Sequence, residues 1–248
     1  MQRMGQVDLC ATIFERKSVR EYAPASLEAA IMEGIGSFMR EIRPLFPEIR
    51  TEMRVLSNPE VRGMFKVSAP HLLAFLSEAK EGQLTNAGFM LQQIDLFLSS
   101  NGIGSCWQGG PAAVREAQNA SDLEFVILLA FGRPAGDPHR KVLEFKREPL
   151  AKVTNIKGRE DLLEAARLAP SGMNNQPWYL TAEDGTIHVH GAKSFIVGRM
   201  NKISAGIALC HLWMAAAHAG RTPELGRDRS MESKAPKGYA YVASMIGG

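Results

Sequence analysis

The chain has 248 residues, of which 45% are apolar and 22% charged, so one large domain or two ordinary domains can each build a core. The net charge of +3 argues against a dedicated nucleic-acid surface, and no run of 18 apolar residues predicts a membrane span. The N-terminus does not resemble a secretory signal, and three scattered cysteines predict neither a disulfide framework nor a metal pair, so we expect a cytoplasmic protein.

A short basic segment follows the first predicted helix, which covers residues 8–15. The segment reads Arg16-Lys17-Ser18-Val19-Arg20. Arginine gives a planar fork of donors and serine adds a hydroxyl, a combination that suits a phosphate monoester. The same residues also suit a solvated basic turn, and the segment alone favours that interpretation.

The rest of the first half alternates helical and extended patterns. A helix is predicted over residues 26–39, and the mixture of Arg, Glu and Pro in residues 40–54 favours a mobile, irregular connection. Residues 69–76 form an apolar run typical of a buried strand. Residues 86–100 form a helix that is apolar nearly all round, as expected for a core or an interface.

A glycine-rich stretch covers residues 102–110. Its glycines permit close approach of the backbone to a ligand, but it follows a helix and lacks a third spaced glycine, so it is not a dinucleotide fingerprint. An apolar strand is predicted over residues 124–131. The basic pair Lys146-Arg147 comes later, and it either joins the first basic segment around one phosphate or belongs to a solvated linker.

A stiff bend stands past the midpoint of the chain. Residues 162–168 carry an apolar stripe at helical spacing, and residues 169–178 then read Ala-Pro-Ser-Gly-Met-Asn-Asn-Gln-Pro-Trp. Pro170 ends the helix, while Gly172 and the two asparagines tolerate left-handed backbone. Amides held in fixed directions suit the edge of a flat heteroaromatic ring. A turn that only caps the helix is the alternative interpretation.

The second half continues with predicted strands over residues 178–181, 186–190 and 238–246. Between them come an apolar helix over residues 204–219 and a polar, exposed loop over residues 221–237. His188 and His190 point to one face of their strand. Because no third ligand lies nearby in the sequence, a solvated strand face is favoured over a metal site.

A weak internal repeat relates the two apolar helices. Four positions of the first helix match four of the second at an offset of 118 residues: Ala87, Gly88, Leu91 and Gly102 against Ala205, Gly206, Leu209 and Gly220. We therefore expect an α+β fold of two tandem sheet-plus-helix halves, residues 1–153 and 154–248. Since a fused copy can keep a dimer interface, the expectation is a monomer built as an internal pseudo-dimer.

Two of the motifs resemble those of the FMN-dependent nitroreductase family. The segment Arg16–Arg20 is similar to that family's N-terminal phosphate motif, and the bend at residues 169–178 is similar to its more specific second motif. Typical members are homodimers in which one subunit supplies the first motif to FMN and the other supplies the second. Here each half has one motif only. The resemblance thus implies a branch with two nitroreductase-like halves in one chain and one composite flavin site.

The resemblance implies roles for twelve residues, none of them a catalytic acid or a metal ligand. The FMN phosphate and ribityl chain would be held by Arg16, Lys17, Ser18, Arg20, Lys146 and Arg147. The isoalloxazine and ribityl parts would be contacted by Pro170, Ser171, Gly172 and Asn174. Gln108 and Gly109 would lie by the reactive N5 edge of the ring, with the Gly109 N–H as a candidate donor.

The activity implied by the resemblance is hydride transfer. NADH or NADPH would reduce FMN, which would then reduce a nitroaromatic, a quinone or a similar small molecule by a ping-pong route. The alternatives are an FMN storage or sensor protein without turnover, and a flavin-dependent dehalogenase or flavin-consuming enzyme of the same fold. A degenerate copy that binds a protein partner and no ligand is the last alternative.

Overall fold

The computed structural model describes residues 9–57, 67–109 and 121–247. It has helices and two four-stranded antiparallel sheets, which confirms the α+β prediction. The described residues fall into two compact units. The first lies within Met1–Arg43, Pro47–Gln83 and Leu91–Val142, and the second within Pro44–Phe46, Leu84–Met90 and Leu143–Gly248. None of the helices in these ranges is long and apolar enough to cross a bilayer.

The first unit is built on one sheet with the strand order β1-β2-β4-β3. The two central strands bury their apolar side chains, which explains their apolar runs. The elements in chain order are α1 (Leu9–Ile13), α2 (Ala29–Glu41), β1 (Thr51–Ser57), β2 (His71–Ser77), α3 (Gln83–Ser100), β3 (Gly104–Gln108) and β4 (Glu124–Gly132). The first residues of α3, through Met90, belong to the second unit.

The second unit is built on the other sheet, with the strand order β5-β6-β8-β7. Its elements are α4 (Leu150–Val153), α5 (Glu160–Arg167), β5 (Trp178–Glu183), β6 (Thr186–Ala192), α6 (Gly198–His218), β7 (Glu224–Gly226) and β8 (Tyr239–Ile246). Most of α6 is buried, as its apolar composition predicted.

The two sheets have the same topology. In each, the first strand pairs with the second, the second with the fourth and the fourth with the third. Both also carry an irregularity in the central pairing, between Phe75 and Leu76 in the first sheet and between Val189 and His190 in the second. Bulges at matching places are designed features of a fold. The prediction of two similar sheet-plus-helix halves is confirmed.

Three strands at sheet edges were not predicted. β1 begins within the residues expected to be an irregular connection, and β7 lies within the expected loop. Both have partly exposed side chains and therefore lack the apolar run that marks a central strand. β3 is buried but has only five residues, and Gly104, Ser105 and Gln108 are weak strand formers.

Within the second unit, α3 and α6 cross at two glycines related by the internal repeat. A Cβ on Gly88 would lie 2.0 Å from the Ile203 carbonyl oxygen, and a Cβ on Gly206 would lie 2.1 Å from the Thr85 carbonyl oxygen. Thr85 and Ile203 are themselves 118 residues apart, so the contact is reciprocal. Because real Cβ atoms do not come this close to backbone, only glycine permits the crossing.

The histidines of β6 are buried, so the prediction of a solvated strand face was wrong. His188 is hydrogen-bonded through Nδ1 to the Ser244 hydroxyl at 2.7 Å, and His190 through Nε2 to the Thr181 hydroxyl at 2.9 Å. The Tyr241 ring packs edge-on against both imidazoles. In the described ranges, no group of three metal-ligating side chains is present. These histidines belong to the polar core of the second sheet.

We expect Gly88→Ala and Gly206→Ala each to lower the free energy of unfolding by about 1–3 kcal/mol or more, because the added methyl group meets a backbone carbonyl in a close-packed crossing. Denaturant titration followed by circular dichroism measures the loss. Gly36→Ala is the matched control. Gly36 lies in α2, where a Cβ would come no nearer than 3.9 Å to the flexible end of Arg40. There alanine should be neutral or stabilising by up to about 1 kcal/mol. Equal effects in α2 and at the crossing would contradict the close contact.

The buried His190 should make the folded protein less stable in acid. Burial, with a smaller contribution from His188, lowers the pKa of His190 to about 4. In the unfolded chain a histidine titrates near about 6.5. Between these values the unfolded state binds a proton that the folded state does not, so stability falls as the pH falls from about 6.5 to about 4. His190→Gln, which cannot titrate, should reduce this loss by up to about 3 kcal/mol. Unfolding midpoints measured at several pH values test this. An unchanged pH dependence for His190→Gln would contradict the lowered pKa of His190.

Candidate functional site

The basic segment of the first unit runs extended beside β3. Ser18 and Ser105 form a parallel bridge, and the Val19 N–H donates to the Ser105 carbonyl at 2.8 Å. A Cβ on Gly104 would lie 2.8 Å from the Val19 side chain, so glycine at the start of β3 allows this close packing. The Tyr22 hydroxyl then donates to the Val19 carbonyl at 2.6 Å. The sequence Arg16–Arg20 is therefore a fixed part of the fold and not a solvated turn.

Arg16 forms a buried ion pair with Asp95 of α3. Its Nε lies 3.0 Å from Asp95 Oδ2, and the two side chains are 1% and 0% exposed. Arg16 Nη2 lies 3.5 Å from Asp95 Oδ1 and 3.4 Å from the Ser18 hydroxyl. The backbone at Arg16 is held as well, because it bridges His139 and its N–H donates to the Thr12 carbonyl at 2.9 Å.

Asp95 is satisfied by further donors. The Ser105 hydroxyl donates to Oδ1 at 2.5 Å, and the Gln92 side-chain amide donates to Oδ2 at 2.9 Å. A buried carboxylate with a cation and two neutral donors is stable, whereas the same carboxylate alone would be expensive to bury. The network thus fixes both members of the ion pair.

Two buried nitrogens of the Arg16 guanidinium, Nε and Nη1, have no hydrogen-bond partner within the described part of the chain. Nε still lies against Asp95 in the ion pair, whereas Nη1 has neither an ion-pair nor a hydrogen-bond partner there. A buried donor without a partner costs about 1–3 kcal/mol, a cost that an acceptor on a bound molecule would remove. Beside it, Lys17 and Ser18 are half-buried and Arg20 is exposed. A buried cationic donor near a hydroxyl, in a segment with two further cationic residues, suits an oxyanion.

Gln108 and Gly109 end β3, three and four residues beyond Ser105. At the rise of a β-strand, Gln108 is about 10 Å along the strand from Ser105. The Gln108 side chain is buried and bound to backbone: its Oε1 accepts from the Val67 N–H at 3.0 Å, and its Nε2 donates to the Trp107 carbonyl at 3.2 Å. It fixes the end of the strand, and Gly109 is exposed there. Nearby, burial raises the pKa of the Cys106 thiol, which does not suit a nucleophile.

The bend of the second unit has an unusual backbone. Met173, Asn174 and Gln176 have φ values of 52°, 57° and 42°. Of the three residues that the sequence marks as tolerating left-handed backbone, Gly172 and the two asparagines, only Asn174 adopts it. At Gly172 glycine allows close packing instead, since a Cβ there would lie 2.4 Å from Met200 Cγ in α6 and would force that side chain to move. Non-glycine residues at positive φ carry strain that surrounding contacts must hold, and such strain concentrates at functional sites.

Side-chain hydrogen bonds hold the bend. The Ser171 hydroxyl accepts from the Gln176 N–H at 2.9 Å, and the Ser204 hydroxyl of α6 accepts from the Gly172 N–H at 3.3 Å. The Gln176 amide donates to the Asn174 carbonyl and accepts from the Glu148 N–H at 2.6 Å. Pro170 is buried directly before these residues. The bend is therefore rigid, although the Met173 side chain is 76% exposed.

Lys146 and Arg147 lie against this bend. Arg147 Nη1 donates to Asn174 Oδ1 at 2.5 Å, and Asn174 Nδ2 donates to the Lys146 carbonyl at 2.7 Å. Arg147 Nη2 also donates to the Leu168 carbonyl at 3.1 Å, at the end of α5, where a cation is favourable. The structure thus brings Lys146 and Arg147 together with Pro170, Ser171, Gly172 and Asn174 in the second unit.

The structure forms two clusters: the first surrounds residues 16–20, and the second comprises Lys146, Arg147 and the bend at residues 169–178. Sequence reasoning missed several residues that build them. Asp95, Gln92 and Ser105 fix Arg16, while Gln176 and Ser204 fix the bend. One signal was available, because Asp95 is the only charged residue in the 18 residues of α3. A lone acid in an apolar helix needs a buried cation. The other residues carry no such signal.

Comparison with known proteins agrees with this architecture. A family model described as "Putative TM nitroreductase" matches residues 8–216. The chain is similar in structure to a "putative nitroreductase" from Thermotoga maritima, with a TM-score of 0.69, 19% identity, and coverage of 100% of this chain and 97% of that chain. At that identity the likeness shows the fold.

Two further solved structures come from Clostridium difficile. A nitroreductase family protein has 17% identity and a TM-score of 0.45, with 61% of this chain and 96% of that chain covered. An FMN-dependent nitroreductase has 17% identity and a TM-score of 0.42, with coverage of 52% and 88%. No curated protein matches the chain. Since the family model spans residues 8–216 and the fold repeats one sheet topology twice, the chain belongs to the nitroreductase family, in the branch that carries two nitroreductase-like halves in one polypeptide.

Proposed function

We propose that this protein is an FMN-dependent NAD(P)H oxidoreductase that reduces a nitroaromatic, a quinone or a similar small molecule. Membership of the nitroreductase family supports an oxidoreductase. The observation that carries the choice of FMN is the buried guanidinium of Arg16, whose Nη1 lacks an acceptor in the described ranges beside the Ser18 hydroxyl. A phosphate monoester supplies the missing oxygen atoms.

The first cluster fits the phosphate of FMN. Arg16 would donate from Nη1 and Ser18 from its hydroxyl, while Lys17 and Arg20 would add positive charge. Lys17 and Arg20 would supply the net positive charge, because the charge of Arg16 is already neutralised by Asp95. Arg147 and Lys146, given the same role by the family resemblance, would add further charge from the second cluster.

The second cluster fits the flat part of the flavin. The bend presents backbone and the Asn174 amide on a strained but fixed frame, next to the Arg147 guanidinium. Cationic charge near a flavin favours the negative charge that its reduced form carries. Pro170, Ser171, Gly172 and Asn174 would contact the isoalloxazine and ribityl parts, and the Gly109 N–H would donate near N5.

When bound, FMN supplies the redox chemistry, accepting a hydride from NAD(P)H and passing it to the acceptor. The chain's own residues then bind and orient the cofactor, and no side-chain acid is assigned. We also propose that the protein acts in the cytoplasm as a monomer, since one chain carries both motifs. Its partners would be small molecules.

The first test of this proposal is flavin binding. We expect the purified protein to be yellow and to bind about one FMN per chain, with quenching of flavin fluorescence. Arg20→Ala and Asn174→Ala should each raise the dissociation constant about tenfold or more, the effect of losing one charged or polar contact. Arg50→Ala is the control, since Arg50 is an exposed partner of Asp122 outside both clusters. A colourless protein that does not bind added FMN would contradict the proposal.

Turnover is the second test. Steady-state oxidation of NADH or NADPH with a nitroaromatic or quinone acceptor should give parallel double-reciprocal plots, the signature of a ping-pong route. Asn174→Ala should reduce this rate at limiting FMN, and Arg50→Ala should not. If FMN binds tightly but neither nicotinamide is oxidised with any acceptor, the protein stores or senses flavin instead.

A further inference from the structure

We propose that Asp95 is a positioning residue for phosphate recognition. It holds the Arg16 guanidinium so that Nη1, and not another edge, faces the phosphate of the bound nucleotide. This inference rests on the proposed function, because it concerns how the same site reads the phosphate group. It assigns a role to a residue of α3 that belongs to neither of the two sequence motifs.

The Arg16 guanidinium has a fixed geometry. An arginine side chain offers its donors along fixed edges. Asp95 lies against the edge formed by Nε and Nη2: Nη2 donates to Oδ1 at 3.5 Å, and Nε is 3.0 Å from Oδ2 as an ion-pair contact without hydrogen-bond geometry. The donor that remains for a ligand is Nη1, which is buried and lacks a partner in the described residues. Nη2 also donates towards the Ser18 hydroxyl. The carboxylate thus selects which donors an anion meets.

Hydrogen bonds fix the orientation of the Asp95 carboxylate. Its two oxygens accept from different elements: Ser105 on β3 at 2.5 Å and Gln92 one turn earlier on α3 at 2.9 Å. The carboxylate is 0% exposed, so water does not compete for these bonds. A side chain held from two directions transmits its orientation to its partner, as supporting hydrogen bonds do around other functional groups.

Arg16 contributes little to the net positive charge of the proposed phosphate site. Because Arg16 and Asp95 form a neutral ion pair, Arg16 orients a hydrogen bond to the phosphate but adds little net charge to the first cluster. The excess positive charge comes from Lys17 and Arg20, which are less buried. This division predicts that lysine cannot replace Arg16, since an ammonium group lacks the second donor edge.

The internal repeat gives an independent observation. At the offset of 118 residues that relates Gly88 to Gly206, the counterpart of Asp95 is Trp213 and that of Gln92 is Cys210. Trp213 packs against the Phe89 ring, with centroids 5.4 Å apart. The second half also lacks the Arg-Lys-Ser-x-Arg motif. The half with the arginine therefore has the buried acid, and the half without the arginine has apolar residues in its place.

The test compares FMN with riboflavin, which lacks the phosphate. For Asp95→Asn we expect the dissociation constant of FMN to rise about tenfold or more, while that of riboflavin stays within about twofold. A merely structural defect would change both constants in proportion to the folded fraction. In a double-mutant cycle, Arg16→Lys and Asp95→Asn should be strongly non-additive, because the second acts through the first.

Two controls keep the result interpretable. Asn86→Ala removes another buried side chain of α3, one that accepts from the Leu45 N–H at 2.9 Å, and should lower stability without changing the ratio of the two constants. Ser105→Ala keeps the ion pair and loosens Asp95. It should raise the FMN constant in the same direction by a smaller factor, and it serves if Asp95→Asn does not fold.

The outcomes separate the two proposals. If the wild-type protein binds neither FMN nor riboflavin, the proposed function fails and this inference fails with it. If wild type prefers FMN but Asp95→Asn, or Ser105→Ala where the former does not fold, leaves the ratio unchanged or favours FMN further, the proposed function stands and the positioning role of Asp95 is overturned.

Discussion

The reciprocal crossing of α3 and α6 is the constraint on which the rest depends. Two helices that touch through backbone at Gly88 and Gly206 have no side chain between them, so their separation is set by main-chain atoms. A contact of this kind is rigid, because packed interiors do not yield by the size of a methyl group. The contact is also reciprocal, because Gly88 meets Ile203 and Gly206 meets Thr85 at positions related by the internal repeat.

The buried ion pair of the first unit explains how an arginine side chain can be stable in the protein interior. Burying either charge alone is unfavourable by several kcal/mol, and breaking such a pair costs about 3–5 kcal/mol. Arg16 and Asp95 are buried together, and neutral donors complete the carboxylate. Within the described residues, Arg16 Nη1 has no partner in this network.

The second cluster combines a strained backbone with the positive charge of Arg147. Three non-glycine residues at positive φ are held by Ser171, Ser204 and Gln176, and Asn174 is pinned by Arg147 and by the Lys146 carbonyl. The result is a rigid bend that needs no regular secondary structure. Rigid, hydrogen-bonded loops of this kind are what orient a flat ligand, since each donor is fixed before the ligand arrives.

Much of this could be read from the sequence by itself. The apolar runs of β2 and β4, the two apolar helices and the repeat between them are local patterns, because burial imposes periodicity on the chain. The motifs at Arg16–Arg20 and residues 169–178 are likewise local. The edge strands β1, β3 and β7, the burial of His188 and His190 and the reason for Gly172 were decided by neighbours distant in sequence, as was the pairing of Arg16 with Asp95 across 79 residues. A pattern in one segment reports whether that segment is buried. Which partner buries it depends on how the whole chain packs, and only the tertiary structure decides that.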